Sequence, residues 1–310
     1  MSKRADRLIT LARQMTENED FSDTSGIIDS ELFQWINDAQ YRLLNLVTNV
    51  HQQVFVKEAP EESVIKGQEI YDLPRDILLE NRVVMVEFSH SGNTRDFKKL
   101  EKGTISQREP NSSGQPNIYI RRSGKILLSP IPSDSTGLLR ISYQRRIAEL
   151  APRIGRVSAV TLDNSARTIT SLTLDTTQSD FNSTALNDED FLCFVNALGI
   201  QQMSEVQIDS VDDSTGVVTV TGTFVFVNGE TIAVGDFVVG GDNSTTHSEL
   251  PITCERYILG YLIWKILKRD SSEDSSEQRN EITSISKEII ESFAEADDDI
   301  TFIPLIDEED

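Results

Sequence analysis

The chain has 310 residues, of which 38% are hydrophobic and 26% charged. That length predicts roughly two domains, each able to bury its own core, and the composition is that of a soluble globular protein. Fifty-one acids against 29 bases leave a formal net charge of −22, which excludes a grip on nucleic acid by general phosphate attraction and disfavours anionic membrane surfaces.

The charge is uneven. Residues 1–150 carry 20 bases and 21 acids, residues 151–270 carry 7 and 16, and residues 271–310 carry 2 and 14. Segments this different are expected to face different surroundings. Two cysteines, Cys193 and Cys254, offer neither a disulfide framework nor metal-ligand spacing. Met1 to Arg7 lacks the apolar run of a signal peptide, and the longest apolar candidate, Tyr257 to Leu267, is interrupted by Gly260 and Lys265. The expectation is synthesis in a cytoplasm and no membrane partner.

In chain order, Lys3 to Met15 reads as a short amphipathic helix with Ala5, Leu8, Ala12 and Met15 on one face, and Glu17 to Gly26 as a loop. Asp29 and Ser30 offer N-cap oxygens to a long helix whose Leu32, Ile36, Ala39, Leu43, Leu46 and Val50 recur every three or four residues. The period then changes. Val54 to Val56, Ile70-Tyr71 and Asn81 to Phe88 read as strands, with one helical turn near Leu100 to Gln107. Ile118 to Arg122 and Lys125 to Ser129 form a hairpin around Ser123-Gly124, and Leu138 to Arg145 is another strand.

Residues 152–248 are a second β-rich stretch, with only three bases and thirteen acids. Val157 to Leu162, Thr168 to Leu174, Val217 to Val220 and Phe237 to Val239 read as strands, and Asn228-Gly229 marks a hairpin between Phe224 to Val227 and Glu230 to Val234. Strands at this spacing predict a small barrel or sandwich. Gly240 to Ser248 reads as a polar exit loop. Ser248 can cap, and Pro251 can open, an apolar helix from Ile252 to Arg269. Asp270 to Gln278 is a polar break, and Ile282, Ile285, Ile289 and Phe293 mark a last amphipathic helix.

The predicted fold class is therefore α+β: a helical bundle from N- and C-terminal helices, a β-rich middle, and an inserted β-barrel or sandwich domain. The expected divisions are 1–151 for the first helices and β-rich unit, 152–248 for the acidic insert, 249–300 for the helices that complete the bundle, and 301–310 for an arm.

No catalytic constellation emerges. A P-loop, a Gly-x-Gly-x-x-Gly turn and a Gly-x-Ser-x-Gly elbow are all missing, and His51, His90 and His247 are isolated. Asp188-Glu189-Asp190 and Asp209 to Gly216 are carboxylate-rich but lack the ordered spacing of a calcium loop. The expectation is no enzyme, no metal and no cofactor. Lys98-Lys99, Arg121-Arg122 and Arg145-Arg146 are basic pairs suited to solvated strand ends or an acidic partner.

The order of elements resembles the head-to-tail adaptor (connector) proteins of tailed bacteriophages, including the tail-tubular-protein-A-like connectors of short-tailed phages. Leu32 to Val50 resembles their long helix, and Tyr71-Asp72-Leu73-Pro74 their strand-to-loop element. Pro116-Asn117-Ile118-Tyr119, Ile126 to Pro132 and Ile141-Ser142-Tyr143 are similar to their hairpin and following strand. Leu250-Pro251 opening a helix with Tyr257, Tyr261 and Trp264 is similar to their C-terminal helix. The resemblance covers 1–148 and 249–300 and leaves out 152–248.

It implies a structural virion protein at the neck between head and tail, forming a ring of about twelve subunits with closed symmetry. The implied partners are other copies of itself, the portal protein above and a tail or nozzle protein below; topology alone puts the 152–248 insert on the outer face of such a ring, where it could hold a tail fibre, a nozzle protein or nothing. DNA would pass without specific binding, because an acidic duct repels phosphate. Two other classes stay open: a different minor virion protein, such as a stopper, tail-completion or tail protein, and a non-viral binding module. Phe302, Ile303, Pro304, Leu305 and Ile306 form an apolar patch between acidic runs and are the expected interface arm, docking on a neighbouring subunit or the portal.

Overall fold

The computed structural model describes residues 4–16, 27–50, 53–163, 168–179, 181–187, 189–221, 232–269 and 274–295. The fold is α+β, with helices towards both ends of the chain and a β-rich middle, as the periodicities predict. Two compact units divide the chain: His51–Ile147 is one, and Met1–Val50 with Ala148–Asp310 is the other.

The unit His51–Ile147 contains β1 (Val56–Glu58), β2 (Ile70–Asp72), β3 (Val83–Ser89), β4 (Lys98–Lys99), β5 (Glu101–Lys102), β6 (Ile118–Arg122), β7 (Lys125–Ser129) and β8 (Leu138–Gln144). One sheet runs β1-β8-β3-β4 and the other β2-β7-β6-β5, so the chain changes sheets between Lys99 and Glu101. The β6–β7 hairpin turns through Ser123 (φ 46°) and Gly124 (φ 74°). Two consecutive left-handed residues match the twist of the flanking strands, so a two-residue loop suffices. The strand expected from Asn81 starts at Val83, because Glu80–Arg82 takes a 3₁₀ turn. The helical turn expected near Leu100 to Gln107 is confined to Ile105–Gln107, where Thr104 and Gln107 cap each other.

The larger unit begins with α1 (Ala5–Met15) and α2 (Asp29–Val50). Leu32, Ile36, Ala39 and Leu43 of the expected stripe have no exposed surface, but Leu46 and Val50 are exposed, and Leu44 and Val47 are buried in their place, because over about six turns a 3.6-residue period drifts away from a strict four-three spacing. Then come β9 (Arg153–Asp163), β10 (Thr168–Leu174), the short α3 (Ser183–Asn187), β11 (Phe191–Val195), β12 (Gln201–Asp212), β13 (Val217–Thr221) and β14 (Phe237–Gly240). These six strands close into a barrel in the order β9-β10-β13-β12-β11-β14, with β14 returning to β9. Strands β11 and β12 were not expected from the sequence. The Asn228-Gly229 hairpin and its upstream strand lie outside the described residues, while Ile232 to Val234 are described and are not a strand.

Helices α4 (Glu255–Arg269) and α5 (Ser275–Glu295) complete the unit. α4 packs against α1, α2 and α5. Such centrality explains why apolar residues surround it. Ser248 does not cap it: a 3₁₀ turn, Ile252–Cys254, comes first. The predicted exit loop is also corrected in part. Ser244–Thr245 pairs in parallel with Glu149–Leu150, and Ser244 to Ser248 are all buried.

Candidate interaction surfaces

The expected arm, Phe302, Ile303, Pro304, Leu305 and Ile306, lies outside the described residues. So does Asp188, which leaves Glu189 and Asp190 of that carboxylate run. Asp212, at the end of β12, is a turn anchor: its carboxylate accepts from the Ser214 hydroxyl (2.6 Å) and the Ser214 amide (3.0 Å). Hydrogen bonds from Ser214 and Thr215 hold its pKa down at about 2. Among the described residues no group of three or more His, Cys, Asp or Glu is arranged to hold a metal ion, and no helix is long and apolar enough to cross a membrane.

The histidines are scattered. His51 lies outside the described residues, and His90 is exposed, 3.7 Å from Asp134. His247 is buried, bonded to the Thr246 hydroxyl at 2.8 Å, and bridges to Arg4. Burial lowers its pKa, so the imidazole is neutral at pH 7. Gly199 is fitted against it: at φ +84°, a Cβ there would stand 2.4 Å from the ring. Both cysteines are buried, and burial pushes each thiol up to about 11. Neither is a nucleophile at neutral pH.

Around His247 runs a buried polar seam that composition alone presents as loop. Asn37 on α2 clasps Leu150 at both its carbonyl (2.9 Å) and its amide (2.8 Å). Gln40 donates to Asn37 and accepts from the Ser248 hydroxyl at 2.6 Å. The Ser244 amide donates to Cys193 Sγ at 3.2 Å, and the Ala5 amide to the Thr246 carbonyl at 2.9 Å. Buried polar groups are tolerated because they are satisfied. The seam fastens α1, α2 and the barrel together and is structural.

The outer face of α2 and α4 is different. Lys265 Nζ lies 5.4 Å from the Tyr261 ring, 5.6 Å from Trp264 and 5.9 Å from Trp35. Lys268 sits 5.2 Å over Trp264, and Arg42 5.6 Å over Tyr261. Cations over ring faces are attracted by the ring quadrupole. The Tyr261 hydroxyl donates to Asp38 at 3.3 Å; burial, with Asp38 beside it, pushes that phenol up to about 12. Trp35, Trp264 and Lys265 are half-buried, whereas Arg42 and Lys268 are exposed. Leu46 and Val50 extend the same helix as exposed apolar residues, at 38% and 46%.

In the unit His51–Ile147 the basic pairs do not merge. Arg146 donates to the Arg75 carbonyl at 2.9 Å. Lys98 and Lys99 instead rim a concavity of about 480 Å³ with Phe88, Leu100, Pro116 and Ile118. This unit carries 15 bases and 12 acids, so the rest of the chain holds 14 bases and 39 acids. The neutral first half of the sequence thus resolves into a net-positive β unit and acidic surroundings.

The family model of the SU10 adaptor protein matches residues 4–167, more than half of the chain, and the chain belongs to that family of phage structural adaptor proteins. The match takes in the first helices, the whole β unit and the start of the barrel. A search of curated proteins finds no match.

Proposed function

We propose that this adaptor is the head-to-tail adaptor of its virion: a ring of about twelve subunits beneath the portal that joins capsid to tail and lets the genome pass. Membership of the adaptor family carries this reading. The charge supports it. A net −22 favours passage of DNA over retention, since held phosphate needs bases that this chain lacks in excess. The net-positive β unit offers a docking surface to an acidic partner, the portal or the tail or nozzle protein. The barrel within 152–248 sits on the outer face of the ring, where a tail fibre can attach.

Copies per particle test the reading. Quantitative mass spectrometry of purified virions should give roughly a dozen copies, the number a single closed ring supplies. Many dozens would move the protein to a tail or decoration role, and absence from particles would end the proposal.

A further inference from the structure

We propose that the acidic segment 296–310 of one subunit docks on the aromatic and cationic face of α2 and α4 of a second copy. The inference goes beyond the adaptor reading, because it names a contact between subunits that an adaptor ring does not require.

The segment and the face complement each other. Residues 296–310 hold seven acids and no base, with Phe302-Ile303-Pro304-Leu305-Ile306 between Asp297-Asp298-Asp299 and Asp307-Glu308-Glu309-Asp310. The face offers two half-buried rings, Trp35 and Trp264, over the buried Tyr261 and set among Arg42, Lys265 and Lys268. Arg269 extends it, paired with Glu31 at 2.6 Å. An apolar centre flanked by acids fits half-buried rings flanked by cations, and α2 with α4 gathers these cations on an otherwise acidic unit.

Reach decides which copy supplies the segment. α5 runs antiparallel to α4: Gly260 lies against Ile282 and Gln278, and Arg256 is 3.9 Å from Glu288. At 1.5 Å per helical residue, Trp264 is then about 28 Å along the axes from Glu295, where α5 ends. Pro304, nine residues beyond Glu295, reaches at most about 30 Å when fully extended. For Phe302 to Pro304 nothing is left for reversing direction and crossing from α5 to the ridge, and Lys268, one turn further along α4, lies beyond the reach of Ile303. A second copy has no such limit, and head-to-tail contacts of this kind close into a ring when the rotation between neighbours divides a full turn.

The test uses the full chain, whose two native thiols are buried. Lys268→Cys in ordinary chains and Ile303→Cys in nitrogen-15-labelled chains are mixed and oxidised, and the cross-linked peptides are read by mass spectrometry. Cross-links that pair a light peptide with a heavy one are expected. A double variant, Lys268→Cys with Ile303→Cys, that cross-links only within single chains would overturn the proposal in favour of self-docking. Absence of cross-links while the chains still associate would overturn it too and leave the adaptor ring standing. Lys268→Glu should weaken self-association at least tenfold by sedimentation, with an unchanged melting temperature, and Glu308→Lys in the same chain should restore it. Association unaffected by the charge swap counts against the docking.

Discussion

The barrel β9–β14 and the two sheets of His51–Ile147 are both built of short, mainly antiparallel strands, yet they manage charge in opposite ways. Among the described residues the buried core of the barrel is aliphatic about Phe194, with Ile154, Leu172, Val218 and Val238 in the same cluster and Phe181 packed against it. Its turn acids are held by neighbouring hydroxyls and amides, as Asp175 is by Thr177 and Gln178 and Asp212 by Ser214. The two-sheet unit has three buried tyrosines, Tyr71, Tyr119 and Tyr143, in its core. It pairs its acids with bases: Glu87 with Arg140 at 2.7 Å, Glu69 with Arg108, and Asp76 with Lys57 at 2.9 Å. An acidic β domain therefore needs no bases when its turns supply donors, and a basic-rich one can spend its cations on fixing side chains.

The comparison can be broken most directly at Phe194, which has no exposed surface. Phe194→Ala should cost about 3–5 kcal/mol by urea denaturation, the range for an aromatic lost from a packed core; a loss under about 1 kcal/mol would mean the barrel is not held by its interior. Gly199→Ala comes next, since it meets both a left-handed backbone and the His247 ring. It should cost roughly 1–3 kcal/mol. Its hydrogen-exchange protection should fall first around Ser244 to Ser248 and leave the two-sheet unit untouched.

In that unit, Glu87→Gln removes the charge that Arg140 faces, with the carboxylate side chain only 13% exposed. A loss of roughly 1–2 kcal/mol is expected, smaller than a full deletion because the amide still accepts a hydrogen bond. Tyr143→Phe should cost about 1 kcal/mol by removing the bond to Asp76. It also changes the pH profile. Burial works against the Asp76 carboxylate, but bonds from Tyr143 and Lys57 prevail and lower its pKa below 3.8. The stability this confers is present above the unfolded value and lost as pH falls through the folded one. The variant should therefore lose less than the parent on acidification below pH 4. The smallest effect belongs to the barrel: Ser214→Ala should raise the Asp212 pKa from about 2, read by carbon-13 NMR, with stability hardly altered.

Much of the fold was legible because periodicity and burial agree. The α2 stripe from Leu32 to Leu43, the β6–β7 hairpin and the final Ile282, Ile285 and Ile289 of α5 are read directly from spacing. β12 was not, because its twelve residues bury only Val206 and Glu205 takes a positive φ of 56°, which breaks the alternation. β11, Phe-Leu-Cys-Phe-Val, is a continuous apolar run without strand alternation, preceded by acids that drew attention to metal chemistry instead. The polar seam was illegible for a different reason. Ser248 finds its acceptor on Gln40, 208 residues away, so its burial has no local signature. At the surface, the common cluster of Trp35 and Trp264 about Lys265 depends on how α2 and α4 cross, which no local spacing encodes.

The barrel leaves and rejoins the helical part of its unit at one place, where Glu149–Leu150 lies beside Ser244–Thr245 and Asn37 clasps Leu150. Paired strands stand about 4.8 Å apart, so the two cut points of this module are already neighbours. The span between the ends is therefore no obstacle to exchanging the barrel; what an exchange would have to rebuild is the seam, with Cys193 under Ser244 and Gly199 against His247. The helical part thus meets the barrel as a loop of nearly zero span, entered and left through one pair of neighbouring strands.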